Sequence, residues 1–353
     1  MKYLFVLGRN VELSAEEVKS FLNRTNNKIK NFKQNENAVL VETEKELDKN
    51  AIDRLGGVIA IGETADIHKE ELYLGTSNKL NYVIWDYSDK TDKVREHLKR
   101  RFKLERLKAT EKKLGRMIEL QGGKTASTLS TRNLDEQFFT FDDEFGRIIQ
   151  VCDYEKLEKR DMQKPVRRSE LSISPRLAKI MINLSEVKKG KLVDGFCGIG
   201  AILAEALLQG IPVIGIDKDK DALDGAKKNL EWQGALSEQY RLIKADSRTV
   251  GIGSAEVMVS EPELGEILRR PPTKEKANET FTQFERLMIS VINNLKKNIS
   301  GRFVFSMPYI KVDKGRASCN AEEIAERTGL NLVLKIPEFR ENQIVGREIV
   351  VLE

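Results

Sequence analysis

A chain of 353 residues, 40% of them apolar, is long enough for two or three domains with cores of their own and has a globular composition. No run approaches the ~18 apolar residues of a membrane span, and the first apolar run is too short for a signal peptide. Three separated cysteines and two histidines argue against a disulfide framework and a structural zinc site, so the cytosol is the expected compartment and no metal is expected.

The net charge of +5 conceals an asymmetry. From Lys93 to Arg116, eleven Lys or Arg stand against three Glu, a local balance of +8. A stripe of that density is the footprint of phosphate-backbone binding, with a plain solvated helix as the alternative. The candidate nucleic-acid contacts are Lys99, Arg100, Arg101, Lys103, Arg106, Lys108, Lys112, Lys113 and Arg116.

In chain order, Tyr3–Leu7 reads as a strand. A helix follows around Leu13–Asn23, with Ser14 as N-cap and Glu17 at the capping-box position. Ala38–Val41 is a strand, Glu46–Leu55 a helix closed by Gly56-Gly57, and Val58–Ile61 another strand. Tyr82–Trp85 opens a second segment. There Val94, Leu98 and Phe102 put an apolar stripe on a helix with basic outer faces, and His97 reads as a boundary residue rather than a ligand. Phe138–Phe141 and Arg147–Val151 suggest a closing hairpin. Residues 154–173, polar and basic for most of their length, suggest a linker.

From Ser174 the pattern alternates between helix and strand, the mark of a parallel doubly wound sheet. Pro175 starts a helix through Leu177, Ile180, Met181 and Leu184. Strands are expected at Leu192-Val193, Val213–Ile216, Leu242-Ile243, Val257–Val259, Phe303–Phe305 and Arg347–Leu352.

The strongest local signal is Leu192-Val193-Asp194-Gly195-Phe196-Cys197-Gly198-Ile199-Gly200, a buried strand running into a glycine-rich turn. Asp217 ends the next strand, placed for ribose hydroxyls, and Asp246 ends the one after. An ordinary tight turn is the dull alternative. A dinucleotide fingerprint needs a third glycine where Leu203 stands. Three strand-end acids suit S-adenosylmethionine better, with Asp194 on the methionine part, Asp217 on the ribose and Asp246 on the adenine amine. Phe196, Gly198, Gly200, Lys218 and Ser247 complete the expected cofactor contacts. Cys197, inside the turn, reads as a packed small side chain rather than a nucleophile.

Several stretches resemble one family. Met1–Ser14, Arg54–Ile59, Ser172–Lys179 and Val193–Gly200 are similar to the archaeal-type, THUMP-containing tRNA guanosine-10 N2-methyltransferases, over nearly the whole chain. The resemblance implies an α/β class I (Rossmann-like) methyltransferase domain at 174–353, preceded by an α+β ferredoxin-like domain at 1–72 and a THUMP RNA-binding domain at 73–153. It also implies RNA modification in the cytoplasm. The family's Asp-Pro-Pro-Tyr motif is replaced here by Ser260-Glu261-Pro262-Glu263. Ser260 or Glu261 can still supply an acceptor and Pro262 a carbonyl, but the aromatic that stacks on the target base is missing. Phe281, Phe284 and Tyr309 are the candidate replacements.

The expected activity is methylation of a nucleobase exocyclic amine, guanosine N2 in tRNA. The alternatives are cytidine N4 in rRNA and a catalytically silent RNA-binding homologue. A nicotinamide oxidoreductase ranks behind these. A small activating protein, needed by eukaryotic relatives, is left open.

Overall fold

The computed structural model describes residues 1–68, 71–73, 75–114, 134–168, 173–266 and 268–353, with 116–119 and 125–128 as backbone alone. These form two compact units, Met1–Asp53 with Gly57–Cys152, and Arg54–Gly56 with Asp153–Glu353.

The first unit is built on one sheet. β1 (Lys2–Leu7), α1 (Val11–Arg24), β2 (Ile29–Asn35), β3 (Ala38–Thr43), α2 (Ala51–Arg54) and β4 (Val58–Thr64) give the strand order β2-β3-β1-β4. All these pairings are antiparallel, the ferredoxin-like arrangement. The chain continues through β5 (Lys79–Tyr87), α3 (Thr91–Leu104) and β6 (Lys108–Glu111). After a separate pair, β7 (Arg116–Glu119) with β8 (Thr125–Thr128), come β9 (Glu136–Phe141) and β10 (Glu144–Val151). Pairing of β10 with β4 extends the order through β10-β9-β5-β6, so the expected boundary at 72/73 falls between strands of one sheet.

Two local expectations are corrected. The N-cap of α1 is Asn10, whose Oδ1 accepts the Leu13 amide at 3.1 Å. Ser14 lies inside the helix and donates to the Asn10 carbonyl, while buried Glu17 accepts the Gly57 amide at 2.7 Å. The helix expected over Glu46–Leu55 shrinks to Ala51–Arg54 because side chains take the backbone groups it would pair. Asn27 binds the Lys45 amide and carbonyl, and Gln150 binds the Asp48 carbonyl and the Ile52 amide.

Phe139, fully buried in β9, holds the middle of this sheet. It sits directly over Gly62 of β4 and Gly146 of β10, where any added side chain would run into its ring.

The second unit starts inside the expected linker. Tyr154–Met162 is a helix, α4, capped by Asp153, and its Arg160 pairs through two bonds with buried Glu205. Val166 exchanges two hydrogen bonds with the Asn229 amide. The expected linker residues 169–172, including Ser172 of the resemblance, lie outside the described residues.

There follow α5 (Pro175–Leu184), β11 (Leu192–Asp194), α6 (Ala201–Leu207), β12 (Val213–Asp217), α7 (Lys220–Trp232), β13 (Tyr240–Lys244), β14 (Val257–Ser260), α8 (Lys274–Leu295), β15 (Phe303–Lys311), β16 (Arg316–Ser318), α9 (Ala321–Thr328), β17 (Leu332–Glu338) and β18 (Val345–Leu352). The sheet order is β13-β12-β11-β14-β15-β18-β17, in which β18 alone runs against the others along that path. Central β11, β12 and β14 are buried on both faces, whereas edge strands β13 and β17 alternate. Such an order places the carboxyl ends of β11, β12 and β14 at the crevice where ligands bind in open α/β sheets. Among the described residues no helix is long and apolar enough to cross a membrane.

Phe139→Ala is expected to cost the first unit about 3–5 kcal/mol, read as a lowered urea midpoint in the full chain. A loss under about 1 kcal/mol would show that the ring is not what holds the sheet together.

Candidate cofactor and target-base site

The turn after β11 needs its glycines. Gly198 (φ +49) and Gly200 (φ +84) occupy the left-handed region, and a methyl group added at Gly198 would meet nothing within 4 Å. The backbone there is thus bare to an incoming ligand. Cys197 is buried, its thiol packed toward Gly215 and pushed far up by burial, which suits a packing role.

Asp194 is 1% exposed. Burial pushes its carboxyl up to about 7; the Phe196 amide and the Ser260 hydroxyl pull the other way, and the charges of Asp217 and Glu261 add to the rise. Oδ1 accepts the Phe196 amide at 3.0 Å. Two serines fasten the same turn. Ser260 Oγ accepts the Gly195 amide at 2.8 Å, and Ser247 Oγ donates to the Gly195 carbonyl at 2.5 Å.

Asp217 organises the next loop with both oxygens, accepting the Gly198 amide at 2.8 Å and the Asp219 amide at 2.9 Å. Each oxygen keeps a lone pair for a ribose hydroxyl. Asp246 is differently placed. Arg248 grips it as a fork, with Nη2 to Oδ2 at 2.6 Å, and Lys218 stands 3.2 Å from the same oxygen. Those cations, Arg248 foremost, hold its carboxyl far below the usual range. An adenine amine at Asp246 would share it with Arg248, and Lys218 reaches the cofactor loop through this acid.

At the fourth motif Ser260 is fully buried and its hydroxyl is committed to the turn, which leaves acceptance of an amine to Glu261. The Glu261 side chain is 10% exposed; its Oε1 is bound by Arg347 Nε and lies 3.5 Å from Ser306 Oγ. Pro262 is buried and Glu263 points to solvent. Phe281 and Phe284 pack in the core against β15, so neither offers a face to a base. Tyr309 is half-buried, tilted against Phe339 with centroids 5.4 Å apart.

In the first unit, Lys99, Lys103 and Arg106 line a groove of about 410 Å³ with Tyr82, Phe102, Leu107, Ala109 and Glu111. None of the three makes an ion pair among the described residues. Arg100 and Arg101 are paired with Glu96 and Glu105, while Lys108, Lys112 and Lys113 are exposed on and after β6. Arg116 belongs to β7, and its side chain lies outside the described residues. His97 sits edge-on to His68 at 4.8 Å, away from this groove's lining.

Sequence reasoning missed Arg347, Ser306 and Arg248, and it missed the fastening roles of Ser247 and Ser260. The serines had a legible signal, since each stands at a strand end or beside a strand-end acid. Arg347 had none, because only the sheet order brings β18 near β14.

Residues 164–300 match the family model described as UPF0020: RMKL-like, methyltransferase domain. Over 115 residues the chain is 35% identical to the tRNA (guanine(10)-N2)-dimethyltransferase of Methanothermobacter thermautotrophicus, covering 32% of this chain and 33% of that protein. It is 32% identical over 142 residues to the protein so named from Methanocaldococcus jannaschii, covering 38% and 37%. The matches thus span about a third of the curated relatives' length. TrmN from Thermus thermophilus aligns over 100% of this chain and 99% of its own, at 12% identity and a TM-score of 0.49. The matched residues, which include Asp194, Asp217 and Glu261, are thus similar to a methyltransferase domain, whose expected cofactor is S-adenosylmethionine. The bare backbone at Gly198 and the buried acid fit that group.

As the expected contact for the cofactor's ammonium, Asp194 would bind as the anion and not as the neutral acid. With burial pushing its carboxyl up to about 7, calorimetric affinity for S-adenosylmethionine should fall roughly tenfold or more from pH 7.5 to pH 5.5. Asp194→Asn should bind weakly at both pH values. An unsubstituted protein with equal affinity at both would remove Asp194 from the contact.

Proposed function

We propose that the protein is an RNA methyltransferase that moves the methyl group of S-adenosylmethionine to an exocyclic amine, guanosine N2 in tRNA. One observation carries this reading: Ser260 fastens the Asp194 turn, and the next residue, Glu261, sets an acceptor carboxylate beside it. A methyl-donor pocket and an amine acceptor then share one joint. The names of the archaeal relatives supply the target nucleotide.

Bound S-adenosylmethionine supplies an electrophilic methyl on a cationic sulfur. The protein's part is positioning and electrostatics. An exocyclic amine is a poor nucleophile because its lone pair is delocalised into the ring. Glu261 and the Pro262 carbonyl accept its two N–H bonds, localise that pair and aim it at the methyl. Methylation would leave positive charge on the nitrogen, which the Glu261 anion is placed to stabilise, and the surplus amine proton would pass to solvent.

The ferredoxin-like strands and the stretch with α3, expected at 1–72 and 73–153 as the N-terminal and THUMP domains, serve RNA in this reading. Lys99, Lys103 and Arg106, which make no ion pair among the described residues, contact phosphates from their groove. The reaction takes place in the cytoplasm. A second reading, a silent RNA-binding homologue, draws on Glu263, which stands exposed where the family carries its aromatic.

The test is tritium transfer from labelled S-adenosylmethionine to unmodified RNA, followed by nucleoside analysis. Label in N2-methylguanosine of tRNA is expected. Label in N4-methylcytidine of rRNA would move the target, and label only after adding a small activating protein would make that partner a requirement. No label with or without it, despite cofactor binding, would favour the silent reading.

The triple substitution of Lys99, Lys103 and Arg106 by Ala should weaken RNA binding and flatten the slope of log K against log salt by roughly 2 to 3. An unchanged slope would remove the groove from the RNA path.

A further inference from the structure

Glu261 is the first residue past β14, so no sheet ladder fixes it, and its three rotatable bonds could aim the carboxylate in many directions. Arg347 and Ser306 remove that freedom. Both approach Oε1, and Oε2 takes no hydrogen bond among the described residues.

Arg347 itself stands on a rigid support. In β18 it is opposite Pro308 of β15 on one side and Glu338 of β17 on the other. The residue before it, Gly346, leaves space that any side chain would take from Phe339. Over the same spot the Arg316 guanidinium stacks on Phe339 at 4.3 Å and Tyr309 at 5.6 Å, and donates to the carbonyls of Tyr309, Arg340, Gln343 and Ile344. The loop that could let Arg347 drift is thus tied down.

We infer that Arg347 is a positioning residue for methyl transfer: it engages Oε1 of Glu261 so that Oε2 is presented to the target amine. The inference rests on the function proposed above. With the carboxylate lying between guanidinium and amine, the pair turns its negative end to the nitrogen that becomes cationic. A neighbouring aromatic is not needed to hold this geometry, which accounts for an acceptor that works in a motif lacking its tyrosine. A plain structural ion pair would stabilise the fold without being coupled to the rate.

Single-turnover methyl transfer to an unmodified tRNA transcript separates the two. Glu261→Gln and Arg347→Met should each lower the rate about 10- to 100-fold, with affinity for S-adenosylmethionine and KM for RNA within about threefold of the unsubstituted protein. The double variant should fall no more than about threefold below the slower single one, since both remove the same interaction. Added guanidinium should restore part of the rate to Arg347→Ala. An unchanged rate in Arg347→Met, or losses that multiply in the double variant, would overturn the inference. Should Arg347→Met fail to fold, Arg347→Lys decides: a reduced rate with intact cofactor affinity supports the role, and a full rate refutes it. A protein that methylates no RNA fails the functional reading and this inference with it. An active protein indifferent to Arg347 fails the inference alone.

Discussion

A carboxyl group sealed from water at the end of a parallel strand is the constraint from which the second unit is organised. Asp194 has lost its hydration, and an uncompensated anion there would be costly. The Phe196 amide and the Ser260 hydroxyl answer that cost, and in doing so they tie the turn after β11 to the end of β14. Ser247 pulls the loop after β13 into the same knot. With Asp217 of β12 on the Gly198 amide, four strand ends thus converge on the backbone from Asp194 to Gly200. The left-handed glycines keep that backbone bare, and a cationic ammonium is the natural partner for an acid held in this state.

The same knot determines where the reacting group can lie. Ser260 faces inward, so the next side chain, Glu261, turns toward the crevice. Its carboxylate brings an acidic group to this point. Arg347 balances it from β18, on the far side of β15. The exposed Glu263 and the buried Phe281 and Phe284 leave no base-stacking ring within the motif itself. In the proposed reaction, binding of a base would draw more on hydrogen bonding and on contacts made elsewhere along the RNA.

Much of this was legible from residues alone because it is local. The doubly wound pattern, the glycine turn and the strand-end acids follow from periodicity and from which residues tolerate a left-handed turn. So does the strand–helix alternation of the first sixty residues. Boundaries were less legible where side chains compete for backbone groups, as Asn27 and Gln150 do in shortening α2. The edge strand Leu332–Glu338 and the strand Ile29–Asn35 were missed, since half-exposed strands carry a weak apolar signal. The helix Tyr154–Met162 was hidden by its polarity; only one of its residues, Leu157, is buried. Arg347 was invisible in principle, as 86 residues separate it from Glu261.

The most direct measurement of the central claim is a crystal structure of the protein with S-adenosylhomocysteine. The account predicts the ligand's amino group on the Asp194 carboxylate, its ribose hydroxyls on Asp217, and its sulfur facing a gap bordered by Oε2 of Glu261, with Arg347 still on Oε1. A ligand seated away from the Gly195–Gly200 turn, or a Glu261 side chain swung off Arg347 and away from the sulfur, would contradict it.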